Sequence, residues 1–274
     1  MKRVIKAIPF TKATYQYFQK LNYERWFATE GYSCFRGVFD NFEQAIESAP
    51  KTKPLGYDHD QLAKEYQRMA ELGNWEYSKR VITTYDYPVL FWLNNILASN
   101  NINTIFDFGG NVGIHFYAYK KYLNLDNLTW TVCDVSAIIN AGEQLAQKRE
   151  EQNLLFTSSF QDANNKNIFV ASGSVQYIED FFLKIAHLCT KPIHILLNRL
   201  PIYAGKEFVT LQNGGQVFYP QYVFNHQSFV AKFSNLGYEL IDIWEDRVDS
   251  CIIPFYPENS VPLYHGIYFK LRHL

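Results

Sequence analysis

The residues best placed to do chemistry stand together in TIFDFGGNVGIHFYAYKKYL, from Thr104 to Leu123: Asp107, Gly109, Gly110, Asn111, Gly113 and His115. Thr104, Ile105 and Phe106 are apolar or β-branched and read as a buried strand, which Gly109 and Gly110 break. From Val112 onward, Phe116, Tyr119 and Leu123 recur at three- and four-residue steps, the spacing of a helix. A strand, a glycine turn and a helix make a βα unit whose turn lies at the carboxyl edge of a parallel sheet, where open α/β folds take their ligands. The spacing excludes two ligand classes. A dinucleotide fingerprint needs glycine where Asn111 and Ile114 stand, and a phosphate-cradling loop needs a closing G-K-[ST] that is missing. What remains is D-x-G-x-N-x-G, a turn whose glycines let backbone approach a ligand and adopt positive φ. An ordinary glycine-rich turn of an unrelated α/β protein is the competing reading.

Further polar residues follow the ends of later strands. Asp134, with Val135 after it, follows LTWTVC, and its carboxylate is placed to accept both hydroxyls of a ribose, as the acid does in dinucleotide sites. Alternatively Asp134 or Ser136 caps the helix beginning near Ala137. In ASGSVQYIED, Ser172, Gly173 and Ser174 are small enough for close approach, and Gln176 and Tyr177 project polar atoms from the same edge. Arg199, in NRLPIYAG, either holds an anionic substrate group or pairs with Glu179 or Asp180. His226 sits in the late stretch YVFNHQSF, read as a loop that could return over the site with a base, or as a plain surface histidine. His115, His226 and His265 lack H-x-x-x-H or H-x-H spacing, so no metal is expected.

The elements that must position these groups alternate. Leu128–Cys133, Leu154–Phe156, Ile168–Ala171 and Ile193–Leu197 read as strands, with helices over Ala137–Arg149 and Ile178–Cys189. Alternation predicts a parallel sheet with right-handed crossovers. Tyr238–Trp244 and Gly266–Leu271 leave no room for a crossover helix and read as antiparallel. The first hundred residues look helical and irregular. Asp40 and Glu43 have capping-box spacing, Ala49–Asp60 is a loop, and Leu62, Tyr66, Met69 and Leu72 lie on one helix face before Gly73. A third helix, from about Pro88 to Ala98, is apolar almost all round.

The turn D-x-G-x-N-x-G resembles the first motif of class I S-adenosylmethionine-dependent methyltransferases. More widely, the chain from about Phe35 onward is similar to a family of methyltransferases found in bacterial surface-polysaccharide and related biosynthetic gene clusters. The likeness rests on FRGVFDNFEQAIESA, GYDHDQLAKEY, TYDYPVL, DFGGNVG, SVQYIED, R-x-P at Arg199–Pro201, and TLQ with VFYPQY in 210–222. The resemblance implies a Rossmann-like α/β fold with a mainly parallel seven-stranded sheet, an antiparallel strand near the C-terminus, and S-adenosyl-L-methionine as cofactor. Asp107, Gly109, Gly110, Asn111, Gly113, Asp134, Val135, Ser172, Gly173, Ser174 and Gln176 would face that cofactor. His115, at a helix start that favours an anion, would lie near its carboxylate. Tyr177, Arg199 and His226 would face the acceptor. Family members commonly carry Asp where this chain has Asn198.

Residues 1–99 read as an N-terminal lobe and 100–274 as the cofactor-binding domain. Tyr57, Trp75, Tyr77, Tyr85 and Tyr87 suggest that the lobe folds over the strand ends as a lid, with packing on the sheet's back as the alternative. A net charge of −1 and the lack of a basic cluster argue against nucleic acid. Four scattered cysteines without a C-x-x-C pair read as cytoplasmic thiols. No apolar run is long enough for a spanning helix. The composition leaves oligomeric state open. The expected activity is methylation of a small polar acceptor, such as a sugar or nucleotide sugar. A catalytically silent scaffold and a nucleotide-sugar transferase are the alternatives.

Overall fold

The structure, a computed structural model, describes residues 9–71, 82–99 and 101–272. The chain opens with α1 (Pro9–Thr29), β1 (Cys34–Phe39), α2 (Phe42–Glu47), α3 (Asp60–Glu71) and α4 (Asp86–Leu97). Strands and helices then alternate: β2 (Thr104–Phe108), α5 (Ile114–Tyr119), β3 (Thr129–Cys133), α6 (Ser136–Lys148), β4 (Leu154–Thr157), β5 (Ile168–Ser172), α7 (Phe181–Ala186) and β6 (His194–Leu200). The remainder comprises β7 (Ile202–Tyr203), β8 (Phe208–Asn213), β9 (Phe218–Asn225), α8 (His226–Asn235), β10 (Tyr238–Asp246) and β11 (Tyr264–Leu271).

Two compact units result. The smaller contains α1, β1 and α2 with Val209–Gln221 and Ile252–Ser260. In it β1 pairs antiparallel with β8, from Cys34 against Asn213 to Phe39 against Val209. Its core is Phe27 stacked on Phe218 at 5.4 Å, with Leu211 beside them. The larger unit contains α3, α4 and the seven-stranded sheet, whose order is β4-β3-β2-β5-β6-β11-β10. Parallel pairing links β4, β3, β2, β5 and β6, and β11 runs antiparallel to both its neighbours. This is a Rossmann-like α/β arrangement, mainly parallel, with one reversed strand near the C-terminus. Because successive residues of a strand face opposite ways, Ile105, Val170 and Leu196 pack on one face with α4, α5 and α6. Phe106, Phe169 and Ile195 pack on the other face, against Phe181 of α7 and Phe229 and Phe233 of α8.

Several local expectations are corrected. The cap of α2 is Asn41, whose Oδ1 accepts the Gln44 N–H at 2.9 Å while Gln44 Oε1 accepts the Asp40 N–H at 3.2 Å. The capping pair is thus Asn41–Gln44, one residue beyond the Asp40–Glu43 pair, with Gln44 reaching back to the Asp40 N–H. The segment read as helix over Ile178–Cys189 is helical only over Phe181–Ala186, preceded by a 3₁₀ turn at Val175–Tyr177. His226 is not in a loop: it is the first residue of α8, capped by Asn225 through the Ser228 N–H. β1, β8 and β9 were not anticipated, although Asn213-Gly214-Gly215 between the last two is a hairpin signal. Leu72, Gly73, Trp75 and Tyr77 lie outside the described residues.

Candidate functional site

The sheet order reverses between β2 and β5, since the chain winds from β2 out to β4 and then returns to β5 on the other side of β2. A crevice at such a switch point is where doubly wound folds bind ligands. The glycine turn follows β2 and the Ser172–Ser174 segment follows β5, so the topology brings them together. Ser174 Oγ donates to Phe108 O at 2.7 Å, tying one loop to the other. Gly109 has φ +73°, and a Cβ there would lie 2.4 Å from Ser174 Cβ, so only glycine fits. Asn111 is also left-handed at φ +56°, a conformation asparagine tolerates better than most residues.

The turn is clasped to the next strand by Asp134. Its carboxylate accepts the Asn111 N–H at 3.0 Å and the Val135 N–H at 2.8 Å. Burial lifts its carboxyl to about 6, against the pull of those two N–H donors. Asp134 therefore does not cap α6. Instead Asp58 Oδ1 accepts the Ala137 N–H at 3.1 Å. Beside it, the Tyr57 hydroxyl accepts from Asn111 Nδ2 at 3.2 Å. The GYDHD segment thus reaches the ends of both β2 and β3.

Asp107 turns away from the crevice. It is fully buried, accepts the Trp130 Nε1–H at 3.0 Å, and pairs with His115 Nδ1 at 3.1 Å. Gly110 serves this arrangement, because a Cβ there would lie 2.3 Å from Asp107 Oδ2. Burial works against charge on His115, but the Asp107 carboxylate more than offsets it and the imidazole pKa is raised. His115 stacks on Tyr119 at 5.7 Å, and the Tyr119 hydroxyl donates to Asp86 Oδ1 at 2.7 Å.

At the ends of β5 and β6, Gln176 Nε2 donates to Arg199 O at 3.3 Å. Ser172 Oγ and Gln176 Oε1 are buried with no hydrogen-bond partner among the described residues. Arg199 does not pair with Glu179 or Asp180. Its Nε donates to Asp249 Oδ2 at 2.5 Å and its guanidinium lies 4.8 Å from the Tyr85 ring. Burial opposes its charge, and the Asp249 carboxylate more than restores it. Asn198 is fully buried between Tyr85 O, to which Nδ2 donates at 3.1 Å, and Trp244 Nε1, from which Oδ1 accepts at 3.0 Å. It has no free polar atom to act as a base. Tyr177 ends the 3₁₀ turn, and burial raises its phenol pKa. His226 belongs to a different place, a cavity of about 270 Å³ lined with Ile202, Tyr203, Ala204, Gln227 and His265.

The residues at the switch point offer polar atoms to a bound ligand. Ser172 Oγ and Gln176 Oε1 are buried polar atoms awaiting a partner, which a native fold rarely leaves unmade. Asp134 retains lone pairs beyond its two backbone bonds. Sequence reasoning missed Trp130, Asp86 and Asp249 as partners. Asp86 lay in the TYDY segment, whereas nothing local marks Asp249. Among the described residues no group of three metal-ligating side chains occurs, and no helix is long and apolar enough to cross a membrane.

No protein-family model matches the chain, and no curated protein matches it. Solved structures resemble it. One is the Burkholderia thailandensis 1,6-didemethyltoxoflavin-N1-methyltransferase, with bound 1,6-didemethyltoxoflavin and S-adenosylhomocysteine. It is 13% identical, with a TM-score of 0.48 over 82% of this chain and 95% of that one. An S-adenosylmethionine-dependent methyltransferase from Clostridium acetobutylicum is 8% identical, with a TM-score of 0.48 over 76% and 99%. An O-methyltransferase from neocarzinostatin biosynthesis, in complex with S-adenosylhomocysteine and 1,4-dihydroxy-2-naphthoic acid, is 13% identical, with a TM-score of 0.46 over 78% and 59%. At these identities each is a likeness of fold and of nothing finer.

Proposed function

We propose that the protein is an S-adenosylmethionine-dependent methyltransferase acting on a hydroxyl of a small polar acceptor, a sugar or nucleotide sugar in glycan biosynthesis. The observation that carries this reading is the switch point: a glycine turn held by Asp134 on one side and by Ser174 on the other, with the buried, unpartnered Ser172 Oγ and Gln176 Oε1 beside it. In this reading Gly109, Asn111 and Gly113 line the methionine half, Asp134 takes the ribose hydroxyls, and Ser172, Gly173, Ser174 and Gln176 close the remaining edge. When bound, the cofactor supplies an electrophilic methyl group on a sulfonium.

The chain's own work is alignment and exclusion of water. Arg199, fixed by Asp249 and Tyr85, offers its remaining N–H donors to the acceptor, and Tyr177 adds a neutral hydroxyl held in its protonated form. Tyr57 and Asp58 on one side and Thr84–Tyr87 on the other form the cover over the strand ends. His226 is assigned no step, since its cavity is separate from the Arg199 group. The test is incubation with S-adenosylmethionine and a panel of nucleotide sugars, followed by chromatography for S-adenosylhomocysteine. Turnover with one sugar, carrying the methyl group on a hydroxyl, supports the reading. Cofactor binding without turnover on any member would move the acceptor away from nucleotide sugars, and failure to bind cofactor would end the reading.

A further inference from the structure

We propose that His115, held by Asp107, is the general base that accepts the proton of the acceptor hydroxyl; the inference rests on the methyltransferase reading above. A carboxylate has no proton to give, so the 3.1 Å contact requires Nδ1 to carry the hydrogen. That fixes the tautomer and leaves the Nε2 lone pair free. Among the described residues nothing hydrogen-bonds Nε2. Asp107 is in turn fixed by the Trp130 N–H and is shut off from solvent. It therefore orients the ring and stabilises the imidazolium that forms, the two tasks a carboxylate performs behind a catalytic histidine.

Placement favours the acceptor side. The charged and titratable groups that act on His115 are Asp107 from β2, Asp86 from α4 and Arg199 near the end of β6, and Tyr119 stacks on it from its own helix. Arg199 and Asp86 belong to the neighbourhood of Tyr85, where the acceptor is placed, rather than to the Asp134 side. The raised imidazole pKa makes a stronger base that is still available at mildly alkaline pH. In the step, the hydroxyl oxygen bonds to the methyl carbon as the carbon–sulfur bond breaks and its electron pair returns to sulfur. The hydroxyl proton passes to Nε2 and leaves to solvent after product release.

The test needs no identified acceptor. Diethyl pyrocarbonate modifies unprotonated, reachable imidazole nitrogen, and peptide mapping locates the label. On the full chain His115 should be modified at a rate that rises with pH through a midpoint above the ordinary histidine value of about 6.5. Saturating S-adenosylhomocysteine should leave that rate within about threefold, because the open nitrogen faces the acceptor. Asp107→Asn should lower the midpoint; if that variant does not fold, the wild-type measurements decide alone. An unreactive His115, or one fully protected by S-adenosylhomocysteine, overturns the proposal. Parallel calorimetry with S-adenosylhomocysteine separates the two failures: no binding sinks the methyltransferase reading, whereas binding with a protected His115 sinks only the base.

Discussion

Raising the pH should remove stability through Asp134. Burial lifts its carboxyl to about 6, while the Val135 and Asn111 N–H groups pull the other way. An unfolded chain titrates the same group near ~3.9. The folded protein therefore holds this proton more tightly, so the associated stability is complete below the unfolded value and is lost as pH rises through the folded one. Two units at roughly 1.4 kcal/mol each give about 3 kcal/mol. Asp134→Asn has no such proton. Urea unfolding of both proteins between about pH 4 and about pH 7 cancels every other carboxylate in the difference. The wild type minus variant free energy should fall by about 2 kcal/mol over that range. In the proposed ribose-binding role of Asp134 the same ionisation strengthens ligand binding, since a carboxylate accepts hydroxyl donors better than a neutral carboxyl does. Affinity for S-adenosylhomocysteine should weaken about tenfold per pH unit below the midpoint in wild type and stay flat in the variant. Parallel stability curves would refute the account of a buried, proton-holding Asp134.

Trp130→Phe leaves the buried Asp107 carboxylate with His115 alone and should cost about 2–3 kcal/mol in urea unfolding. Asn198→Asp sets a carboxylate oxygen against Tyr85 O in place of a donor. It should lower stability by about 1–3 kcal/mol at neutral pH, with recovery on acidification as the carboxyl gains a proton to donate. Tyr57→Phe removes the acceptor of Asn111 Nδ2, and calorimetry should show S-adenosylhomocysteine affinity falling about fivefold if this segment covers the ligand.

Periodicity carried the sheet well because β2, β3 and β5 are short apolar runs punctuated by glycine, aspartate or serine at their carboxyl ends, and β6 is an apolar run closed by Asn198 and Pro201. The two C-terminal strands were legible from the lack of room between them for a crossover. The glycine turn was legible as a turn closing β2, but not the fact that Asp107 points inward, because a residue near a strand's end can face either way. Whether Asp134 caps a helix or clasps the turn depends on Asp58, far away in sequence and unreadable from spacing. Likewise Arg199 pairs with Asp249 rather than with a carboxylate near it in the crevice loop, a choice made by tertiary packing. β1 and β8 escaped notice because their alternation is weak: β8 is buried throughout, so it has no polar face to mark its period.

The most direct measurement is a calorimetric titration of the wild-type chain and Asp134→Ala with S-adenosylhomocysteine at neutral pH. The account predicts saturable binding by wild type and a loss of about tenfold to a few hundredfold in the variant, the equivalent of roughly 1.5–3 kcal/mol for a charge-assisted hydrogen bond. Absence of binding by a folded wild-type chain, or equal affinities in the two proteins, would contradict it.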